Sequence, residues 1–218
     1  MKDAMDRGIP FIILENPVWH YGDKTSTYTY GYNGLNGLSM GADTGSLPSR
    51  PHPKLEPWKD HTCGDWTIFG QVENDKALRG ADVYEWIDWM RALFPMAQLR
   101  EHPVMLGAQE MAVQESFDNC IARTSLAITY SSTVGAESVI RGIPTIACNR
   151  GSWAYDVSSR PTEPVSTPPR ELWIHGLSWR HWSTDEEIDV QHILSGYDEA
   201  RARASMGQYD NMSNGRAQ

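Results

Sequence analysis

Leu126-Ala127-Ile128-Thr129-Tyr130-Ser131-Ser132-Thr133-Val134-Gly135-Ala136-Glu137 is the stretch on which the fold turns, with Arg141-Gly142-Ile143-Pro144-Thr145-Ile146-Ala147 close behind it. Its apolar opening predicts a buried strand ending at Tyr130, its hydroxyls a tight turn, and the residues from Thr133 to about Arg141 a helix. Gly142 and Pro144 stop that helix before a second short strand. A strand that runs through Ser-Ser into a helix start points hydroxyls and free N–H groups at one spot. The helix dipole favours negative charge there, so the motif can cradle a phosphate without a Walker lysine. Upstream, Ala97-Gln98-Leu99-Arg100-Glu101-His102-Pro103 ends another apolar run and brings Arg100 and His102 to the same sheet edge. Capping alone explains Ser132 or Thr133, and an isolated His-Pro occurs in many loops. The order of the elements, with Glu137 one turn into the helix, is what favours a ligand site.

Outward from this block the chain alternates strand and helix. A strand is expected at 67–69 with Gly70-Gln71 at its end, and a helix follows with Val83, Trp86, Ile87, Met90 and Leu93 at core spacing and Asp82 as N-cap. Strands at 97–100, 126–130 and 145–147 complete a set that implies an α/β, Rossmann-like parallel sheet with helices on both faces. Residues 9–14 read as a buried strand, and 15–65 as an irregular, functional loop region rich in Gly, Pro, Asn and Thr. After Asp156 an extended Pro- and Ser-rich segment leads to an aromatic helix over 170–182. Thr184-Asp185-Glu186-Glu187 then forms a capping box for a last helix ending near Gly196. The expected division is therefore 1–65 as an acceptor-side region, 66–196 as the Rossmann-like domain and 197–218 as a frayed tail.

Composition limits the function classes. With 218 residues and 40% hydrophobic content there is material for one α/β domain and a small appendage. No apolar run approaches the roughly 20 residues of a membrane span, and the start lacks a signal-peptide core, so a cytoplasmic location is expected. Cys63, Cys120 and Cys148 show no C-x-x-C and read as reduced thiols. The net charge of −9 and the scattered arginines give no electrostatic support to a DNA partner. The seven histidines show no metal spacing, and there is no Asp-x-Asp, so no metal site is expected.

The His-Pro element, the Ser-Ser turn and Gly135-Ala136-Glu137 followed by Gly142-Ile143-Pro144 resemble the donor-binding domain of GT-B-type glycosyltransferases. By motif the chain is most similar to bacterial sialyltransferases and the Kdo transferases of capsule synthesis. Its flanks resemble phage and prophage proteins assigned to glycosyltransferases. Those flanks are Tyr32-Asn33-Gly34-Leu35-Asn36-Gly37, Phe69-Gly70-Gln71-Val72-x-x-Asp75, Asn149-Arg150-Gly151-Ser152-Trp153-Ala154-Tyr155-Asp156-Val157 and Leu177-Ser178-Trp179-Arg180-His181-Trp182-Ser183. The resemblance covers roughly residues 8–195. It implies a GT-B C-terminal-domain-like fold and a metal-independent, nucleotide-sugar-dependent transferase of phage type, with the nucleotide sugar as co-substrate and no further cofactor. The acceptor implied is a hydroxyl, on a hydroxymethylated DNA base or a surface glycan.

On that resemblance His102, Ser131 and Ser132 bind the donor phosphate, with the N–H groups of Thr133 and Val134 completing the cradle. Gly70, Gln71 and Asp75 match the family's Gly-Gln-x-x-x-Asp element; Gln71 suits a base edge or sugar hydroxyl, and Asp75 is a catalytic candidate beside His102. Arg100 adds charge, and Glu137 suits a ribose hydroxyl. The general base is assigned to Glu15, at the end of the first strand, with Asp43 and Asp156 as rivals. Trp19, Trp58 and Trp153 are the candidate sugar platforms, while Trp86, Trp89, Trp179 and Trp182 read as core. A full GT-B enzyme has two Rossmann-like domains, and only one strand precedes the long loop here. The chain is then a compact version, a truncation, or one whose missing half comes from a second copy or another partner. The alternatives to a transferase are a non-catalytic nucleotide-sugar binding module and a serine hydrolase using Ser131 or Ser132 with His102. The hydrolase lacks a G-x-S-x-G elbow.

Overall fold

Buried β-branched and apolar residues set the parallel sheet. In this computed structural model, which describes residues 7–9, 11–19, 27–38 and 48–186, strands β3 (Asp65–Phe69), β4 (Gln98–Arg100), β5 (Thr124–Thr129) and β6 (Thr145–Ala147) pair in the order β4-β3-β5-β6. All three pairings are parallel, with Ile68 opposite Leu99 on one side and Ile128 on the other. Every residue of β5 is buried, as a central strand covered on both faces requires.

Alternate residues of these strands feed two cores. Ile68, Leu126, Ile128 and Ile146 pack with Leu78 and with helix α1 (Val83–Leu93) through Val83, Trp86, Ile87 and Met90. Phe69 and Ala127 point the other way, to Cys120 and Ile121 of α3 (Phe117–Arg123) and to Ile143. Truncating a buried Ile of this kind costs about 2–5 kcal/mol against about 1 kcal/mol for a helix cap, so the sheet core dominates the stability. Asp82 caps α1 as expected, accepting from the N–H groups of Tyr84 and Glu85 at 2.8 and 3.2 Å. Leu93 and Trp89 of that helix are exposed instead of buried, because the core-facing arc is already filled by the four residues above.

Helix α4 (Val134–Ile140) is held at its carboxyl end by a strap formed by residues 56–59. Glu56 N–H donates to the Ile140 carbonyl at 3.0 Å and Lys59 N–H to the Gly142 carbonyl at 2.6 Å. Arg170 donates to the carbonyls of Val139 and Glu56 and lies 3.8 Å over the Trp58 ring, while Trp58 Nε1 donates to the Pro168 carbonyl at 3.2 Å. Gly142 has φ +70° and no space for a side chain, since a Cβ would overlap the Pro57 carbonyl.

Packing divides the chain into residues 53–170 and, separately, 1–52 with 171–218. These limits fall elsewhere than the sequence boundaries at 65 and 196. The reason is that 171–186 belong with the amino-terminal segment. There β1 (Ile12–Glu15), β2 (Thr27–Tyr32) and β7 (His181–Ser183) form an antiparallel sheet in the order β1-β2-β7. β1 is an edge strand with Ile12 and Leu14 exposed, not the buried strand expected at 9–14. The aromatic helix is α5 (Glu171–Ser178) and stops before Trp182, which enters β7 and packs with Trp179 and Tyr30. Ser183 and Glu186 make the reciprocal capping bonds that the sequence assigned to Thr184 and Glu187: Ser183 Oγ accepts from Asp185 N–H, and Glu186 from Ser183 N–H. The last helix, the 197–218 tail and Asp43 lie outside the described residues. Between α1 and β5 run two further elements, a 3-10 turn at Pro103–Met105 and helix α2 (Ala108–Val113).

Candidate functional site

β3 connects to β4 on one side and β5 to β6 on the other, so the connections diverge between β3 and β5. In an open parallel sheet this switch point, at the carboxyl ends of the strands, is where a ligand crevice forms. The loop after β3 begins Gly70-Gln71 and the loop after β5 begins Tyr130-Ser131-Ser132.

The two loops are joined by one amide. Ser131 N–H donates to Gln71 Oε1 at 3.3 Å, and Gln71 Nε2 donates to Ser131 Oγ at 3.1 Å and to Asp75 Oδ2 at 3.2 Å. The Ser131 hydroxyl is within 3.2 Å of Gln71 Oε1 and 3.1 Å of the Ala77 carbonyl. A hydroxyl has one proton. Giving it to Ala77 uses every donor of the network once. Asp75 also accepts from Ala77 N–H at 2.8 Å, so its carboxylate caps the 3-10 turn Lys76–Leu78.

His102 stands half-buried where the chain leaves β4. Its Nδ1 accepts from Val104 N–H at 3.3 Å, which leaves the proton of the neutral ring on Nε2. Burial holds its pKa below the ordinary value, and the negative charge of Asp75 pulls only partly the other way. Gly70 lies directly behind it: Gly70 N–H donates to the Arg100 carbonyl at 2.8 Å, and a Cβ there would meet His102 N at 3.4 Å.

The fold thus brings together Gly70, Gln71, Asp75, His102, Ser131 and Ser132. Ser131 is buried and hydrogen-bonded within the protein, whereas Ser132 and Thr133 are half-buried. Ser132 Oγ accepts from Val134 N–H at 3.3 Å, and Thr133 makes no side-chain cap bond. Two residues of the expected wall are engaged elsewhere. Arg100 Nη1 donates to the Glu115 carbonyl at 2.8 Å with its guanidinium over Phe117, and Glu137 accepts from Arg141 Nη2 at 2.9 Å. Glu15 belongs to the antiparallel unit, where Oε1 accepts from Asn36 N–H at 2.9 Å. The serine hydrolase gains nothing here, because the Ser131 hydroxyl faces a carbonyl and an amide, not an imidazole.

Of the tryptophans proposed as platforms, two are buried and Trp58 is half-buried. Trp153 is buried, Trp58 lies beneath Arg170, and Trp19 stacks on the buried His181 with ring centroids 3.6 Å apart. Sequence reasoning missed the Ala77 carbonyl, whose role depends on the 3-10 turn that Asp75 caps. It also missed the segment after His102. The signal there is exposure of its apolar residues, which sequence does not report. Among the described residues no three His, Cys, Asp or Glu cluster as a metal set would, and no helix is long and apolar enough to cross a membrane.

No family model matches the chain, and no curated protein sequence matches it. Among solved structures it is similar to the Thermosulfurimonas dismutans KpsC beta Kdo 2,4 transferase, with TM-score 0.50 and 13% identity over 83% of this chain and 76% of that one. It is also similar to the KpsC beta Kdo 2,7 transferase of the same organism, with TM-score 0.41 and 18% identity over 75% of this chain. The chain spans only 56% of the length of that second structure. At such identities the likeness is one of fold: an α/β, Rossmann-like parallel sheet with helices on both faces, of the kind found in a Kdo transferase.

Proposed function

We propose that the carboxyl edge of the β4-β3-β5-β6 sheet binds a nucleotide sugar and that the chain is a GT-B-like, metal-independent glycosyltransferase of phage type, working in the cytoplasm. The observation that carries this reading is the Gln71–Ser131 tie at the switch point with His102 beside it. A neutral imidazole carrying its proton on Nε2, a half-buried Ser132 and Thr133, and a carboxylate at Asp75 held by Gln71 make a set that suits a phosphate next to a sugar. The fold likeness to a Kdo transferase supports glycosyl transfer as the reaction class.

In such a reaction the bond from the anomeric carbon to the donor phosphate breaks, and the phosphate leaves with the electron pair. The acceptor oxygen bonds to that carbon and gives its proton to a base. His102 Nε2–H and the hydroxyls of Ser132 and Thr133 stabilise the leaving phosphate. Asp75, oriented by Gln71 at the same edge, is the carboxylate we assign to take that proton. A hydroxymethylated base or a surface glycan remains the acceptor of this proposal.

Incubating the chain with CMP-, UDP- and GDP-sugars and measuring released nucleotide tests it. Consumption of one donor is expected, faster with a hydroxyl acceptor. Tight binding without consumption would make the chain a nucleotide-sugar binding module, and no binding would sink the reading.

A further inference from the structure

Just past His102 the chain leaves the sheet and returns to it. Gln114 Nε2 donates to the Glu101 carbonyl at 3.1 Å and Arg100 Nη1 to the Glu115 carbonyl at 2.8 Å, so the excursion is closed at its base. Inside it lie the 3-10 turn Pro103–Met105 and helix α2, and neither buries a residue. A compact excursion with joined ends is an Ω-loop, a form that is frequently functional. This one turns its apolar side chains to water: Val104 is 72%, Met111 53% and Val113 85% exposed. Three exposed apolar residues in one short segment next to the candidate ligand edge suit a surface that is covered in another state.

Three bonds tie the turn at the start of the loop to residues outside it, one of them from Met105 N–H to the His102 carbonyl at 2.8 Å. Val104 N–H donates to His102 Nδ1 at 3.3 Å, and Glu73 N–H donates to Met105 Sδ at 3.5 Å, where sulfur is a weak acceptor. The Val104 bond ends on the imidazole after β4, and the Met105 sulfur meets the loop after β3. The loop therefore touches the β3 wall of the switch-point crevice and the imidazole next to it, and the sulfur contact is a weak one. A segment with so few buried contacts opens at small cost, and active-site lids are drawn from such segments.

We propose that residues 103–114 are a lid that closes over the molecule bound at this edge and turns Val104, Met111 and Val113 from water onto it. This rests on the nucleotide-sugar reading above. An anion accepting from His102 Nε2–H fixes the tautomer that receives Val104 N–H on Nδ1. Ligand binding and lid closure then favour one another.

Amide hydrogen exchange on the full chain tests the lid, with and without whichever of CMP, UDP and GDP gives heat in calorimetry. Exchange over 104–113 should slow by about tenfold or more when nucleotide is bound, as local opening is suppressed. A bound nucleotide with unchanged exchange there would overturn the lid alone. No heat with any of the three would overturn the nucleotide reading and the lid with it. Val104→Pro removes the N–H that meets His102 and should lose most of the protection; protection equal to wild type would overturn the coupling through the imidazole. The exposed-site triple variant Val104→Ser, Met111→Ser, Val113→Ser leaves the cores intact and should bind nucleotide with weaker protection. Undiminished protection in it would show that the apolar side chains do not close on the ligand.

Discussion

Gln71 Nε2 donates at once to Ser131 and to Asp75, at 3.1 and 3.2 Å, so one planar amide sets the spacing of two loops that follow different strands. Gln71 is buried and Asp75 is half-exposed, which leaves the carboxylate oriented from behind and open in front. Replacing Gln71 by Glu keeps the volume and removes both donors. It should lower stability by about 1–3 kcal/mol, the cost of unpaired buried groups with a like charge placed beside Asp75. Chemical denaturation checks this; a variant as stable as wild type would show the amide bonds to be incidental.

Ser131 and Ser132 should separate by phenotype. Ser131→Ala strands the Ala77 carbonyl and Gln71 Nε2, so it should lower the melting temperature, with a loss of about 1–3 kcal/mol. Ser132→Ala should change stability little and weaken nucleotide binding, measured by calorimetry. Equal effects of the two on affinity would contradict the division between a structural and a ligand-facing serine.

Thr129 gives the opposite expectation. Its Oγ1 is fully buried and has no hydrogen-bond partner, beneath Gly135 of α4. Thr129→Val is nearly isosteric and removes an unsatisfied hydroxyl, so stability should hold or rise by about 1 kcal/mol. A large loss in thermal unfolding would mean that this hydroxyl does have a partner.

The sequence made the parallel sheet readable because its strands are short apolar runs between strong breakers, as at Gly70, Pro103 and Gly142. The same signal failed at residues 9–14. An edge strand in a three-stranded antiparallel sheet and a buried central strand carry similar apolar residues, and only the partner strands distinguish them. At the site, residue types were legible but their engagement was not. Arg100 and Glu137 are charged and correctly placed along the chain, yet Glu115 and Arg141 reach them first. Trp58 looked like a platform because nothing in its neighbourhood announces Arg170, more than a hundred residues away.

The half-buried His102 predicts a pH dependence whose sign is fixed. Its folded-state pKa is lowered, chiefly by burial, from the ordinary 6.5. Below that value the unfolded chain takes up the proton first, so stability is full above it and falls as pH drops toward the folded value. In His102→Gln this part of the decline should vanish, as read from urea unfolding between about pH 7.5 and about pH 5. An identical slope in both proteins would assign the decline to other groups.

Thiol chemistry should single out one cysteine. Cys63 is exposed, Cys120 is buried, and burial pushes the Cys148 thiol up to about 12. At about pH 8 an aromatic disulfide reagent should modify one thiol per native chain quickly, and all three only after unfolding. Fast modification of Cys148 would show that the core against Met90 opens readily.

The hydrogen bond between Arg170 and the Glu56 carbonyl means that the parallel-sheet unit enters and leaves at one place. Residues 53–170 are an uninterrupted piece of chain, framed by segments that pair with each other in the antiparallel sheet of β1, β2 and β7. Such a piece has the form of an insertion into a host, whose two ends could be sealed together or carried to another scaffold with little strain. Cutting at 66, where composition suggests a boundary, would leave the carbonyls of Ile140 and Gly142 without Glu56 and Lys59. The excisable fragment starts at 53.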